Sequence, residues 1–179
     1  MIHTPGVKIC FVCLGNICRS PTAEAVMAAQ IDAADLQGQI EVDSAGTGGW
    51  HRGAPPDERS AAEARRHGVE LTSRARQVHA GDFAYFDLLV AMDRTNRDDL
   101  LDLAPTVADR AKVHLLREFD LDTDTDTDPD TDTGPTDPDR PDRDVPDPYL
   151  GGPDGFAEVY DLIESACAGL LVHLRAGSG

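Results

Sequence analysis

Lysine is almost missing from this chain: Lys8 and Lys112 are the only two among 179 residues, and the formal net charge is −17. So acidic a chain is a poor partner for nucleic acid or an anionic membrane surface, and both are set aside as ligands. No run approaches the roughly 20 consecutive apolar residues that a membrane-spanning helix needs. The opening residues, Met1-Ile2-His3-Thr4-Pro5-Gly6, lack the basic start and apolar stretch of a secretory signal, so a cytoplasmic location is expected. Cysteine is sparse, at Cys10, Cys13, Cys18 and Cys167, which in a reducing compartment points to free thiols rather than a disulfide framework. No histidine pair stands at ligand spacing to Cys13 and Cys18, so no metal is expected. A G-x-x-x-x-G-K-[ST] phosphate loop is absent, and Gly46-Thr47-Gly48 has His51 where a dinucleotide fingerprint has its third glycine. No cofactor follows from these patterns.

What is present is an alternation of short apolar runs with helical patterns. Val7 to Val12 reads as a strand, and from Pro21 the period turns helical through Ala23, Val26, Met27, Ile31 and Ala34. Ile40-Glu41-Val42-Asp43 reads as a second strand, closed by Ser44 to Gly49. A helix through Ala61, Ala64 and Arg65 stops at His67-Gly68. Phe86 to Met92 predicts a third strand, followed by a short helix through Leu100, Leu101 and Leu103, and Ala111 to Leu116 predicts a fourth strand. The last helix has the clearest stripe, from Phe156 through Ile163 and Cys167 to Leu174. Such alternation predicts one domain with a parallel sheet covered on both faces, its site at the carboxyl ends of strands.

The exception is 120–144, where eleven Asp stand against Arg140 and Arg143, giving −9 and leaving −8 for the rest. Its Asp-Thr repeats and prolines predict a low-complexity, disordered surface insert within the domain, whose charge suits a basic partner. Calcium binding of the EF-hand kind fits poorly: counted from Asp122, Thr127 stands at the glycine position and Thr133 at the glutamate position.

The stretch Cys13-Leu14-Gly15-Asn16-Ile17-Cys18-Arg19-Ser20 joins the first strand to the first helix. A tight loop there can turn successive backbone N–H groups inward as an anion nest, backed by the positive end of the helix dipole. Gly15 offers free dihedrals, and Asn16 tolerates a left-handed conformation better than other non-glycine residues. Arg19 supplies a planar fork for two phosphoryl oxygens. Ser20 can donate to the Cys13 sulfur, and the whole cradle favours that sulfur as an anion. The loop is built to hold a tetrahedral oxyanion and attack it with sulfur. By contrast Cys10 and Cys167 fit the role of small core hydrophobes. Expelling a phenolate also requires a proton donor. Asp147, between Pro146 and Pro148 in a stiffened segment, is the candidate acid.

These motifs, "VCLGNICRSP" and "DVPDPYLGGPDGF", with "DSAGTGGWHRG", "RARQV" and "LLVAMDRTN" between them, resemble the low-molecular-weight protein tyrosine phosphatases of the bacterial type, over about Val7 to Leu174 without the insert. The resemblance implies a flavodoxin-like α/β fold, a four-stranded parallel sheet with helices on both faces. It also implies hydrolysis of phosphotyrosine in proteins through a phosphocysteine, without metal or cofactor. On it, Cys13 is the nucleophile, Arg19 binds the phosphoryl group and Asp147 is acid and then base. Asn16, Ser20 and Ser44 brace the loop; Leu14, Ile17, Trp50 and Tyr149 wall the substrate ring; Cys18 can trap an oxidised Cys13 as a disulfide. Two positions depart from the pattern. Leu150 stands where a second aromatic is common, and Ser73 where a histidine braces the loop asparagine.

Rival readings remain. Arsenate reductases share the loop but need relay cysteines, and none lies between Cys18 and Cys167. Phosphoarginine phosphatases typically carry threonine where Ile17 stands. A non-catalytic phosphate-binding module would not need Cys13, Arg19 and Asp147 together.

Overall fold

Alternation along the first strand builds both halves of the core. In the computed structural model, which describes residues 6–120, 143–152 and 154–177, β1 (Val7–Cys13) sends Ile9, Phe11 and Cys13 to one cluster and Cys10 and Val12 to the other. That is the period of two for a strand buried on both faces. It pairs in parallel with β2 (Ile40–Gly46) on one side and β3 (Leu88–Ala91) on the other, and β3 pairs with β4 (Val113–Leu115), giving the order β2-β1-β3-β4. The fold is the four-stranded parallel α/β sheet that the resemblance implies.

Helices α1 (Arg19–Ala33) and α6 (Asp154–Ala176) cover one face through Val26, Met27, Ile163, Cys167 and Leu170, with α2 (Glu58–Arg66) beside them. The other face is covered by α3 (Asp82–Tyr85) and α4 (Arg94–Leu103) through Phe83 and Leu100, with α5 (Val107–Arg110) following. Neither four-residue helix is among the expected elements, although Thr106 caps the second by accepting from the Asp109 N–H. Among the described residues, no helix is long and apolar enough to cross a membrane.

Several boundaries differ from expectation, among them the fourth strand, which covers only Val113–Leu115. The first helix starts at Arg19, two residues before Pro21, so the arginine already lies in the first turn. Ser44 to Gly46 continue β2 rather than close it, because each finds a ladder partner in Phe11 to Cys13. The third strand is confined to Leu88–Ala91. Most of the predicted acidic insert, 121–142, lies outside the described residues, but its expected ends are anchored. Asp120 accepts from Ser165 at 2.8 Å, and Asp144 accepts from the Arg94 N–H at 3.0 Å.

The strand order changes direction between β1 and β3, and in such sheets the crevice at their carboxyl ends is where ligands bind. Here β1 runs into the Cys13 loop and β3 runs into Asp93.

Candidate active site

The loop after β1 turns on Asn16, which has a φ of 54° as expected of an asparagine in a tight turn. Gly15 serves otherwise than expected: its φ is not left-handed, but a Cβ there would lie 3.0 Å from the His51 ring. The carbonyls of the loop are used. Cys13 O accepts from Thr47 N–H at 2.9 Å, Leu14 O from Gly48 at 2.8 Å and Ile17 O from Asp57 at 2.7 Å. Among the described residues, no backbone N–H from Leu14 to Cys18 donates to a protein acceptor. Carbonyls tied outward and free N–H groups make an anion nest at the start of α1.

Close approach of β2 sets this geometry. A Cβ on Gly46 would sit 2.7 Å from Leu14 O and 3.1 Å from Asn16 N. Both contacts are with backbone, so Gly46→Ala must displace the loop. We expect it to lower kcat/KM for aryl phosphates by about tenfold or more, since small misplacements of reacting groups are costly. A variant with unaltered kinetics and phosphate inhibition would show that the loop tolerates the shift.

Asn16, Ser20 and Ser44 stand behind the loop in one network. Asn16 Nδ2 donates to Ser20 Oγ at 2.9 Å and to Ser44 Oγ at 3.0 Å, while its Oδ1 accepts from the Arg76 N–H at 2.9 Å. Ser44 Oγ in turn donates to Glu24. Burial pushes the Glu24 carboxyl above its usual range, against the hydrogen bonds from Ser44 and Ser73. So Ser73 supports Asn16 only through Glu24 and Ser44, and the backbone of Arg76 bonds it directly. The Arg76 side chain is pinned by Asp43 at 2.9 Å and Asp82 at 3.1 Å.

Cys13 is 3% exposed, with its Sγ 3.0 Å from Ser20 Oγ. The single Ser20 proton has two acceptors in reach, that sulfur and the Ala45 carbonyl at 3.2 Å, so it can turn to the sulfur when the sulfur is an anion. Burial pushes Cys18 up to about 12 and raises Cys10 and Cys167 further. All four cysteines are free.

Arg19 is 2% exposed and held on two sides. Its Nη1 donates to Asp93 Oδ2 at 2.6 Å and to the Val145 carbonyl at 3.0 Å; its Nη2 lies 3.4 Å from Asp147 Oδ2. Burial works against the charged guanidinium, but the Cys13 sulfur, Asp93 and Asp147 outweigh it and hold Arg19 above its usual range. Asp93 also caps α4, its Oδ1 accepting from Asn96 N–H at 2.8 Å.

Asp147 reaches the cleft because Val145 is fixed to the sheet, its N–H donating to Met92 O at 2.8 Å. Beyond it, Tyr149 N–H donates to Asp147 Oδ1 at 3.1 Å. Arg59 holds the far end, lying over the Tyr149 and Phe156 rings and donating to the Tyr149 carbonyl at 3.3 Å.

Cys13, Cys18, Arg19 and Asp147 meet around one cleft of about 150 Å³. Its remaining walls are Leu14, Gly15, Ile17, Trp50, Tyr149 and His51, the last of which sequence reasoning missed. Trp50 is 75% exposed, a rim residue rather than a core one, and its ring occupies the space a Gly48 Cβ would need. Leu150 is 95% exposed and does not line the cleft. Among the described residues, no group of three or more His, Cys, Asp or Glu is placed to hold a metal ion.

The family model for low molecular weight phosphotyrosine protein phosphatase matches residues 8–178. The chain belongs to that family. A low molecular weight protein-tyrosine-phosphatase of Streptomyces coelicolor is 46% identical over 168 residues, spanning 94% of this chain and 93% of the relative. Among solved structures, a protein tyrosine phosphatase of Entamoeba histolytica superposes with a TM-score of 0.82 at 37% identity, covering 97% of this chain and 100% of that one. A Drosophila arginine phosphatase does so with a TM-score of 0.79 at 31% identity, covering 94% and 98%. This phosphatase chain thus shares both its fold and nearly its whole length with its relatives.

Proposed function

We propose that this protein hydrolyses phosphotyrosine in polypeptide substrates through a phosphocysteine intermediate, in the cytoplasm and without a cofactor. One observation carries the reading: a sulfur, a doubly anchored guanidinium and a carboxyl converge on a single cleft with aromatic walls.

The phosphate dianion sits in the nest of Leu14 to Cys18 N–H groups, with the free side of the Arg19 fork on two of its oxygens. Trp50, Tyr149, Leu14 and Ile17 hold the ring. The Cys13 sulfur, as the anion, attacks phosphorus; the bond from phosphorus to the aryl oxygen breaks, and that oxygen takes its electron pair and the Asp147 proton. Asp147, now a carboxylate, takes a proton from water, whose oxygen attacks phosphorus. The sulfur leaves with its electron pair, a proton-balanced return to the starting state. Arg19 and the N–H groups stabilise the charge on the transferring group in both steps.

The test is metal-free turnover of a phosphotyrosine peptide, p-nitrophenyl phosphate and a phosphoarginine peptide by the wild type and Asp147→Ala. Loss of a general acid costs about 10²- to 10⁴-fold where the leaving group needs a proton. We therefore expect the large loss with the phosphotyrosine peptide and a smaller one with p-nitrophenyl phosphate, whose phenolate leaves readily. Equal losses on both would remove Asp147 from that role. Faster turnover of phosphoarginine than of phosphotyrosine would move the reading to an arginine phosphatase, against the apolar Ile17 in the loop.

A further inference from the structure

A second groove, of about 340 Å³, adjoins the catalytic cleft and shares two of its walls, Leu14 and Trp50. Its other side is built by Val78 and by α4, which presents Asp99, Asp102 and Leu103 on one face. The groove thus joins three partly exposed apolar side chains, Leu14, Trp50 and Leu103, to two exposed carboxylates. Neither Asp99 nor Asp102 has a hydrogen-bond or ion-pair partner among the described residues. The cations nearest in sequence are engaged elsewhere. Arg97 pairs with Asp98 at 3.1 Å, Arg94 with Asp144 at 3.3 Å, and Arg110 donates to the Leu101 carbonyl.

We infer that this groove receives a lysine or arginine side chain of the substrate polypeptide, close in sequence to the phosphotyrosine. The inference rests on the phosphatase reading and extends it to the substrate's neighbouring residue. Two features decide the occupant. Continuity comes from the shared wall: a chain whose phosphotyrosine fills the cleft passes over Leu14 and Trp50, directly beside the groove. Complementarity comes from the lining, because lysine and arginine carry a long aliphatic stem that packs on apolar surface and a cationic head that stays at its edge. The stem lies along Leu14, Leu103 and the indole, whose face also attracts a cation. The head then meets Asp99 and Asp102. An acidic neighbour would face two uncompensated carboxylates and be disfavoured.

The experiment compares kcat/KM for phosphotyrosine peptides carrying lysine, or its uncharged isostere norleucine, at each position from three before to three after the phosphotyrosine. The enzymes are wild type, Asp99→Asn/Asp102→Asn, and the control Asp32→Asn/Asp35→Asn, which removes the same charge from two exposed positions at the end of α1. Norleucine fills the apolar floor equally well, so the comparison isolates the charge. We expect wild type and control to prefer lysine by about fivefold at one or more positions, the size of partly solvated ion pairs. The α4 double variant should take both peptides alike, and p-nitrophenyl phosphate, too small to reach the groove, should be turned over equally by all three. Absence of a lysine preference in the wild type, its survival in the α4 variant, or an equal loss in the control each overturns the proposal. A wild type inert toward every phosphotyrosine peptide and p-nitrophenyl phosphate overturns the phosphatase reading, and the groove's occupant with it.

Discussion

Cys13→Ser should leave no measurable turnover of phosphotyrosine peptide or p-nitrophenyl phosphate, a loss of roughly 10⁵-fold or more, as when a covalent nucleophile is removed from its constellation. A serine fits the buried position and keeps a contact with Ser20, whose Oγ lies 3.0 Å from the native sulfur. Its hydroxyl, however, holds its proton at neutral pH and needs a base to become a nucleophile. No other thiol can take over. Cys10 and Cys167 are buried in the core, and Cys18, though it lines the cleft, is pushed up to about 12 by burial and stays protonated. The phosphate nest survives the exchange, because Arg19 and the loop N–H groups are untouched. Inorganic phosphate should therefore still bind the variant, measured by calorimetry or by protection against thermal unfolding. Turnover comparable to wild type would take the nucleophile's role from Cys13. Loss of phosphate binding as well would mean that the exchange disturbed the loop rather than the chemistry alone.

Legibility in the sequence followed the range of the contacts involved. The strand, loop and helix around Cys13 could be read because each is specified within a few residues: alternation buries β1, Asn16 takes the left-handed turn, and Pro21 suits the first helical turns. Asp93 was missed because its local signal is generic. An aspartate ahead of a helix reads as a cap, which it is, and nothing nearby announces that its second oxygen meets Arg19, 74 residues away in sequence. The Val145 carbonyl, 126 residues from Arg19, is invisible in principle, since a backbone oxygen leaves no residue signature. His51 carries no local signal of a place in the cleft, and only the approach of its ring to Gly15 puts it there. Ser44 to Gly46 looked like a turn from their composition. They belong to β2 because β1 offers partners out to Cys13, a tertiary override of local propensity.

The same long-range contacts make Arg19→Lys the second large effect. One nitrogen of the native fork is spent on anchoring: Nη1 serves both Asp93 and the Val145 carbonyl. The rest of the planar group, with Nη2 on the side of Asp147, is left to face the phosphoryl oxygens. Lysine keeps the charge but has a single nitrogen, which cannot hold Asp93 and Val145 while reaching two phosphoryl oxygens. If the ammonium stays on Asp93, the transferring group loses its side-chain cation; if it turns to the phosphate, the acid segment loses its tie at Val145. Either way Asp93 and Asp147 face the incoming dianion with less compensation. We expect kcat/KM to fall by about 10³-fold, roughly 4 kcal/mol of transition-state stabilisation, with phosphate inhibition weakened in parallel. A thermal midpoint close to wild type would separate this from unfolding, since the ammonium still neutralises the half-buried Asp93. Activity within a factor of about ten of wild type would show that a point charge suffices and that the fork geometry is not what the loop exploits.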